Sequence, residues 1–346
     1  MIGFSFYLDQ TFDNESLQYF KSMKNYGFSE VFTSVHIHEK DSQKYLQTFD
    51  KLLKAIQNLN LKLIIDIDKP SLHILHNKLD NLDLILRLDD SFSYDDIVSL
   101  SKQTIIALNA GTIDDHDINE LKKLDIDFHT LEAWYSQYPH PETGLDLTWI
   151  AQKNRWLRKL GFKTQAFVTG NEPYRTPLMA GSPTLERHRN ISPFIAAVEL
   201  DKLNTDGVVI GDPYLELELR KSFDDYFING YIPLHISNIK IGTPSYLFTK
   251  VFHNRKDPAR DAIRLTESRE MNHRHIGPTN NIERVFGSVT IDNRNYGAYM
   301  GEIQIVCRRL PANQNVNVLG TIIESDLKLL SYIDAGSAFK IIRAHS

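Results

Sequence analysis

Eight short apolar runs recur at near-even spacing through the first two-thirds of the chain, and this rhythm restricts the fold more than any single motif. They read IGFSFYL, EVFTSV, LKLIID, LILRLD, TIIALN, FHTLEAW, TQAFVT and GVVIG. The step from one run to the next is the length of a strand, a helix and two short loops. Helical periodicity fills the gaps: NESLQYFKSMKNYG sets Leu17, Phe20 and Met23 on one face and stops at Gly27, and LTWIAQKNRWLRKLG stops at Gly161. Eight strand-helix repeats predict an α/β chain that opens with a closed (β/α)8 TIM barrel. An open doubly wound sheet is the competing solution, but the G-x-G-x-x-G turn that usually follows its first strand is missing.

Beyond Tyr231 the texture changes. ERVFGSVTIDN, YGAYMGEIQIVCRRL and VNVLGTIIESDLKLLSYI are rich in β-branched residues, alternate in polarity, and are broken by turn residues such as DNRNYG and PANQN. They predict a small antiparallel barrel or sandwich with one helix over ESDLKLLSYI. At 346 residues the chain exceeds the size at which a single core usually divides. The expected domains are a catalytic barrel at 1–235 and a β domain at 236–346.

Composition narrows the function classes. A net charge of −5 gives no electrostatic basis for binding nucleic acid or an anionic membrane surface. Cys307 is the sole cysteine, which excludes an internal disulfide and cysteine-based zinc sites. The start MIGFSFYLDQ has no basic region and no cleavage site, and no run approaches about 20 uninterrupted apolar residues. The expected location is the cytoplasm.

In a TIM barrel the C-terminal strand ends and the loops after them build the active site. Taken in order, those ends carry Asp9, then His36 and His38, Asp66 and Asp68, Arg87 and Asp89, Asn109, Glu132 and Tyr135, Asn171, and Asp212. Arg87 and Asp89 are two apart, so both can face the mouth. Asp206 stands at the start of its strand and so belongs to the opposite, structural face. A single loop carboxylate is more often a helix cap or a solvated side chain than a catalyst, but carboxylates recurring at several strand ends describe an acid-lined pocket.

There is no P-loop, no H-E-x-x-H and no G-x-S-x-G. HIHEKD has a His-x-His pair, but a metal-dependent barrel hydrolase would place it after the first strand with further histidines, so neither a metal nor a cofactor is expected. Lys69 is the one lysine close to a strand end, which gives little support to a Schiff base. What remains is a pocket of carboxylates with tyrosine, asparagine and arginine around it, the equipment of glycoside hydrolysis. Arg87, or arginines of the long loop GNEPYRTPLMAGSPTLERHRN, could clamp an anionic substituent, and the length of that loop favours a lid. A solvated helix start is the plainer reading of its Arg187, His188 and Arg189.

These stretches also resemble a known family, the 6-phospho-N-acetylmuramidases. The resemblance spans essentially the whole chain. It rests on FYLD with Asp9, IID with Asp66, LRLD with Arg87 and Asp89, LN with Asn109, TLERHR with Glu186, His188 and Arg189, VVIGDPY with Asp212, and in the second domain HNRKDPAR, which holds Arg255, and YGAYMGEIQI. It implies a TIM barrel followed by a cyclophilin-like β-barrel domain, and a hydrolase of cell-wall recycling. The implied substrate is MurNAc 6-phosphate–GlcNAc, cut at its β-1,4 bond. One departure stands out: where the family pattern has His-Asn-Phe-Tyr-Pro after strand six, this chain has Tyr135, Ser136, Gln137, Tyr138 and Pro139. No histidine role carries over there.

The catalytic candidates are Asp66 and Asp89, with Asp9 and Asp212 behind them. Substrate contacts are expected from Arg87, Asn109, Glu132, Tyr135, Asn171, Glu186, His188, Arg189 and Arg255. The muramyl 2-acetamido group could itself act as nucleophile, with one carboxylate orienting it and another protonating the leaving oxygen. The second domain is expected to close over the mouth, bringing Arg255, Arg260 or Arg269 near a phosphate, or to mediate a homodimer. Two readings from other classes stay open, a metal-dependent barrel hydrolase and a non-catalytic phospho-sugar-binding protein.

Overall fold

The computed structural model describes residues 1–37, 42–79, 82–272 and 274–344. The expected mouth residue His38 lies outside them. Two compact units make up the chain, Met1–Lys221 and Ser222–Ser346.

In the first unit, eight parallel strands close into a barrel in sequence order, with β8 pairing back to β1. The strands are β1 (Ile2–Ser5), β2 (Glu30–Val35), β3 (Lys62–Ile67), β4 (Leu84–Leu88), β5 (Ile105–Asn109), β6 (Leu131–Trp134), β7 (Lys163–Val168) and β8 (Gly207–Ile210). Between them run α1 (Asn14–Asn25), α2 (Ser42–Leu59), α3 (Lys69–Leu79), α4 (Tyr94–Ser101), α5 (Asp115–Lys123), α6 (Leu147–Lys159) and α7 (Pro193–Lys202). Four of these helices start on a side chain that caps their free N–H groups: Asp13, Ser93, Asp114 and Asp146. Strand alternation sends every second residue inward. Tyr7, Phe32, Ile64, Ile85, Ala107, Trp134, Phe167 and Val209 form one buried cluster, so the interior is a packed core and not a pore.

A polar layer lies below that core and another above it. At the base Glu30 and Glu132 are 2% and 3% exposed, beside a fully buried Gln165. Gln165 Nε2 donates to Glu132 Oε2 at 3.0 Å, and Trp134 Nε1 donates to the same oxygen at 2.8 Å. Gly207 makes this layer possible, because a Cβ there would stand 2.5 Å from Gln165 Oε1. At the upper rim, strand register aligns Ser34, Asp66 and Arg87 as direct neighbours across β2, β3 and β4. Two inward steps, four residues, separate the base from the mouth, as in Glu30, Phe32 and Ser34 along β2.

Seven strands form the sheet of the second unit, in the order β10-β15-β9-β14-β12-β13-β11. They are β9 (Ile232–Ser237), β10 (Val251–His253), β11 (Ala262–Arg264), β12 (Ser288–Asp292), β13 (Ile303–Val306), β14 (Val316–Ile322) and β15 (Ala338–Arg343). An isolated bridge between Asn254 and Leu265 joins the continuations of the two edge strands, so the sheet is a nearly closed barrel. The expected antiparallel pairing holds for every strand pair except β9 with β15, which is parallel. Over Glu324–Tyr332 the chain forms 3-10 turns where an α-helix was expected.

Candidate active site

Asp66 is the hub of the barrel mouth. Ser34 Oγ donates to its Oδ2 at 3.0 Å, and Arg87 Nη1 donates to its Oδ1. His36 reaches Asp66 Oδ2 through Nε2 at 3.4 Å and Asp68 Oδ2 through Nδ1 at 3.3 Å. The Asp66 and Arg87 side chains are only 16% and 11% exposed, so the pair works at low dielectric. The hydrogen bond to Asp66 is the main cause lifting the His36 pKa to about 9, with Asp68 adding to it against the opposing pull of burial. His36 is therefore an imidazolium at neutral pH. Burial pushes the Asp66 carboxyl up, but His36 and Arg87 outweigh it and hold the group below the usual carboxylate range. Such a carboxylate can stabilise a cationic transition state or orient an amide; it has no proton to give near pH 7.

Arg175 comes into the mouth from the β7–α7 loop. Asp66, Arg87, Ser136, Gln137 and Arg175 share the walls of a cavity of about 260 Å³, floored by the rings of Phe32 and Phe167. Arg87 Nη2 donates to Ser136 Oγ at 2.7 Å. Arg175 stacks its guanidinium 3.8 Å from the centre of the Tyr7 ring and donates from Nη1 to Gln137 Oε1 at 3.0 Å. Tyr7 is itself fixed, donating to the Gly211 carbonyl at 2.5 Å and accepting from Gln137 Nε2 at 2.8 Å. Burial raises the pKa of its hydroxyl, which keeps it a donor.

Asp212 anchors the loop that delivers Arg175. Its carboxylate is fully buried and accepts backbone N–H groups from Gly170 (3.0 Å), Arg175 (3.1 Å) and Ser182 (3.1 Å). Gly170 is required beside it, since a Cβ there would meet the Tyr214 carbonyl at 2.2 Å. Asn171 adds a second tie, its Oδ1 accepting the Glu216 N–H at 2.8 Å.

The other expected residues are distributed around this centre. Asp89 and Asn109 line an adjacent cleft of about 410 Å³ with Tyr94 and Asp117. There Asp89 accepts from the Ser91 N–H and hydroxyl, at 3.0 and 2.5 Å, and Asn109 Oδ1 accepts the Gly111 N–H at 3.0 Å. Asp9 is exposed, just past the end of β1. Glu186 and Arg189 bond to each other through two pairs at 2.7 Å, and Arg189 also donates to the carbonyls of Tyr138, His140, Ala180 and Gly181. His188 is fully buried against Glu199 at 2.8 Å. Glu132, expected at a strand end, is the second residue of β6 and lies in the base layer. Tyr135, expected at the mouth, points to the helical layer and donates to Asn154 Oδ1 of α6 at 2.8 Å. In the second unit, Arg255 pairs with Asp257 across two bonds at 2.8 and 3.1 Å.

Sequence reasoning did not single out Tyr7, Ser136, Gln137 or Arg175. Arg175 had one signal, its place in a long loop rich in arginine. Among the described residues no group of three or more His, Cys, Asp or Glu side chains is arranged to hold a metal ion, and no helix is long and apolar enough to cross a membrane.

Comparison with known proteins connects this geometry to a family. The N-terminal profile of 6-phospho-N-acetylmuramidase matches residues 2–225 and the C-terminal profile matches residues 233–342. The chain belongs to the 6-phospho-N-acetylmuramidase family. The whole chain is also similar to a conserved Enterococcus faecalis protein of unknown function, at 34% identity and a TM-score of 0.85, over 99% of this chain and 96% of that one. An uncharacterized B. cereus protein shares the fold at 22% identity and a TM-score of 0.81, over 99% of both chains. No curated protein matches the chain.

Proposed function

We propose that this member of the 6-phospho-N-acetylmuramidase family is a cytoplasmic, metal-independent glycosidase that hydrolyses MurNAc 6-phosphate–GlcNAc at the β-1,4 bond during cell-wall recycling. The observation that carries the reading is Asp66, an ionised carboxylate in a small barrel-mouth cavity, held there by Arg87 and His36. Glycoside cleavage needs one anionic group beside the anomeric centre and one proton donor at the leaving oxygen. Asp66 fits the first role, either as nucleophile or base or by orienting the 2-acetamido group. Asp89, two residues beyond Arg87, is the first candidate for the second. Asp212 and Glu186 already accept several hydrogen bonds from the protein, which suits them to holding the loops.

The direct test is product release from MurNAc 6-phosphate–GlcNAc, with the unphosphorylated disaccharide and an EDTA-treated sample alongside. Cleavage that survives chelation and is lost in Asp66→Asn supports the proposal. Binding without turnover would sink the hydrolase reading in favour of a sugar-binding protein.

A further inference from the structure

The cavity at the mouth carries more positive charge than the chain as a whole would suggest. Arg87 and Arg175 stand against Asp66 in its walls, two cations to one anion, in a protein of net charge −5. The arginines around it differ in the hydrogen bonds they have left to offer. A guanidinium carries five N–H donors. Arg189 is surrounded by protein acceptors, Arg187 faces Glu199 at 3.3 Å, and Arg87 already serves Asp66 and Ser136. Arg175 donates to Gln137 from Nη1 alone among the described residues, which leaves its other N–H groups for a ligand. Its pose is nonetheless fixed. Tyr7 supports the flat face, and Asp212 holds the backbone N–H of Arg175 itself at 3.1 Å. A planar cation that is rigid, half-buried and short of acceptors is built to take a tetrahedral or planar oxyanion in a two-pronged grip.

We infer that Arg175 is the specificity-determining residue that grips the phosphate of the sugar, with Tyr7 and Gln137 setting its orientation and Asp212 acting as the positioning residue behind it. This rests on the hydrolase reading for its substrate, but the binding step it describes can be measured without turnover. A phosphoryl group held by Arg175 lies in the same cavity as Asp66, so the grip would also place the sugar ring against the ionised carboxylate. Selection and alignment then come from one contact.

The experiment is calorimetric titration of MurNAc 6-phosphate and of MurNAc into the full-length native protein, Arg175→Met and Arg175→Lys. The native protein is expected to bind the phosphorylated sugar far more tightly than the plain one. Arg175→Met should lose about 100-fold in affinity for the phosphorylated sugar, with a change of less than about threefold for MurNAc. Arg175→Lys, which keeps the charge and loses the fork, should fall between them and shows that the fold survives. Equal affinity of Arg175→Met and the native protein for the phosphorylated sugar would overturn the assignment, as would a native protein that does not distinguish the two sugars. Selective binding that depends on Arg175, combined with no cleavage of the disaccharide, would retire the hydrolase reading and leave this site standing.

Discussion

The base and the mouth of the barrel each hold an enclosed carboxyl group beside a second one, and the two enclosed groups, Glu30 and Asp66, are pushed in opposite directions. Below the core, Glu30 is 2% exposed, its Oε2 has no hydrogen-bond partner among the described residues, and Glu132 stands nearby. Burial first, and the Glu132 charge second, raise the Glu30 pKa to about 7. Above the core, Asp66 is largely enclosed too, its side chain 16% exposed, and a guanidinium and an imidazolium keep it ionised. Depth in the barrel does not decide the charge of a carboxyl group here. The partner does. The base is a place where a proton is kept to avoid a buried charge; the mouth is a place where cations are supplied to preserve one.

Four substitutions or titrations test that contrast, beginning with the largest effect. Asp66→Asn should reduce kcat/KM for the phosphorylated disaccharide by about 1000-fold, and because it leaves the Arg87 guanidinium without its buried partner it should also lower the thermal midpoint. An active Asp66→Asn would move the catalytic carboxylate elsewhere. Arg87→Met strands Asp66 in a largely buried site, which should cost roughly 3 kcal/mol of stability in denaturant titration and raise the pH of the acidic limb of the rate profile. Unchanged stability would mean that solvent already screens the pair.

Glu30→Gln tests the other end. Because the folded pKa of Glu30 lies above its ordinary value of 4.5, at about 7, the native protein holds this proton more tightly than the unfolded chain. Stability from this group is complete below about pH 4.5 and is lost as pH rises through 7, for a total on the order of 3 kcal/mol. Glu30→Gln should remove that slope from the stability–pH curve and leave catalysis alone. A slope that persists would place the titrating proton on another group.

The smallest expected effect concerns His36. Its folded pKa is raised from 6.5 to about 9, so its pairing with Asp66 contributes fully below 6.5 and disappears as pH rises through 9. The basic limb of the rate profile should therefore fall near pH 9 in the native protein and vanish in His36→Gln, at a reduced plateau.

Much of this layout was legible in the sequence, for a reason that also explains where legibility ended. Asp66, Arg87 and Asn109 were readable because period-two alternation carries the inward face straight to the strand end. Glu132 and Tyr135 were not, because FHTLEAW reads as one strand. In the fold Asp127 caps a 3-10 turn over Phe128–Thr130, so β6 begins only at Leu131. Glu132 then falls to the base, and Tyr135, next to the inward Trp134, turns outward. Arg175, Gln137 and Tyr7 depend on contacts between loops far apart in sequence, such as the Asp212 bonds to Gly170, Arg175 and Ser182. Local periodicity carries no trace of those. The same holds for Glu186 and Arg189, whose residue types suggest a ligand site but whose bonds run to each other and to backbone carbonyls.

In the second unit, the bridge between Asn254 and Leu265 acts where an open sheet would be most exposed to other molecules. Asn254 Oδ1 also accepts the Arg264 N–H there, at 3.2 Å, and Asn254 itself is 4% exposed. An unpaired strand margin is a template onto which a second copy, or a misfolded chain, can add its own strand. By joining its two outermost strands to each other, this sheet withdraws that template at the seam. Self-association of this unit across that seam would have to use side-chain surfaces, which sequence can tune, in place of a backbone ladder, which it cannot.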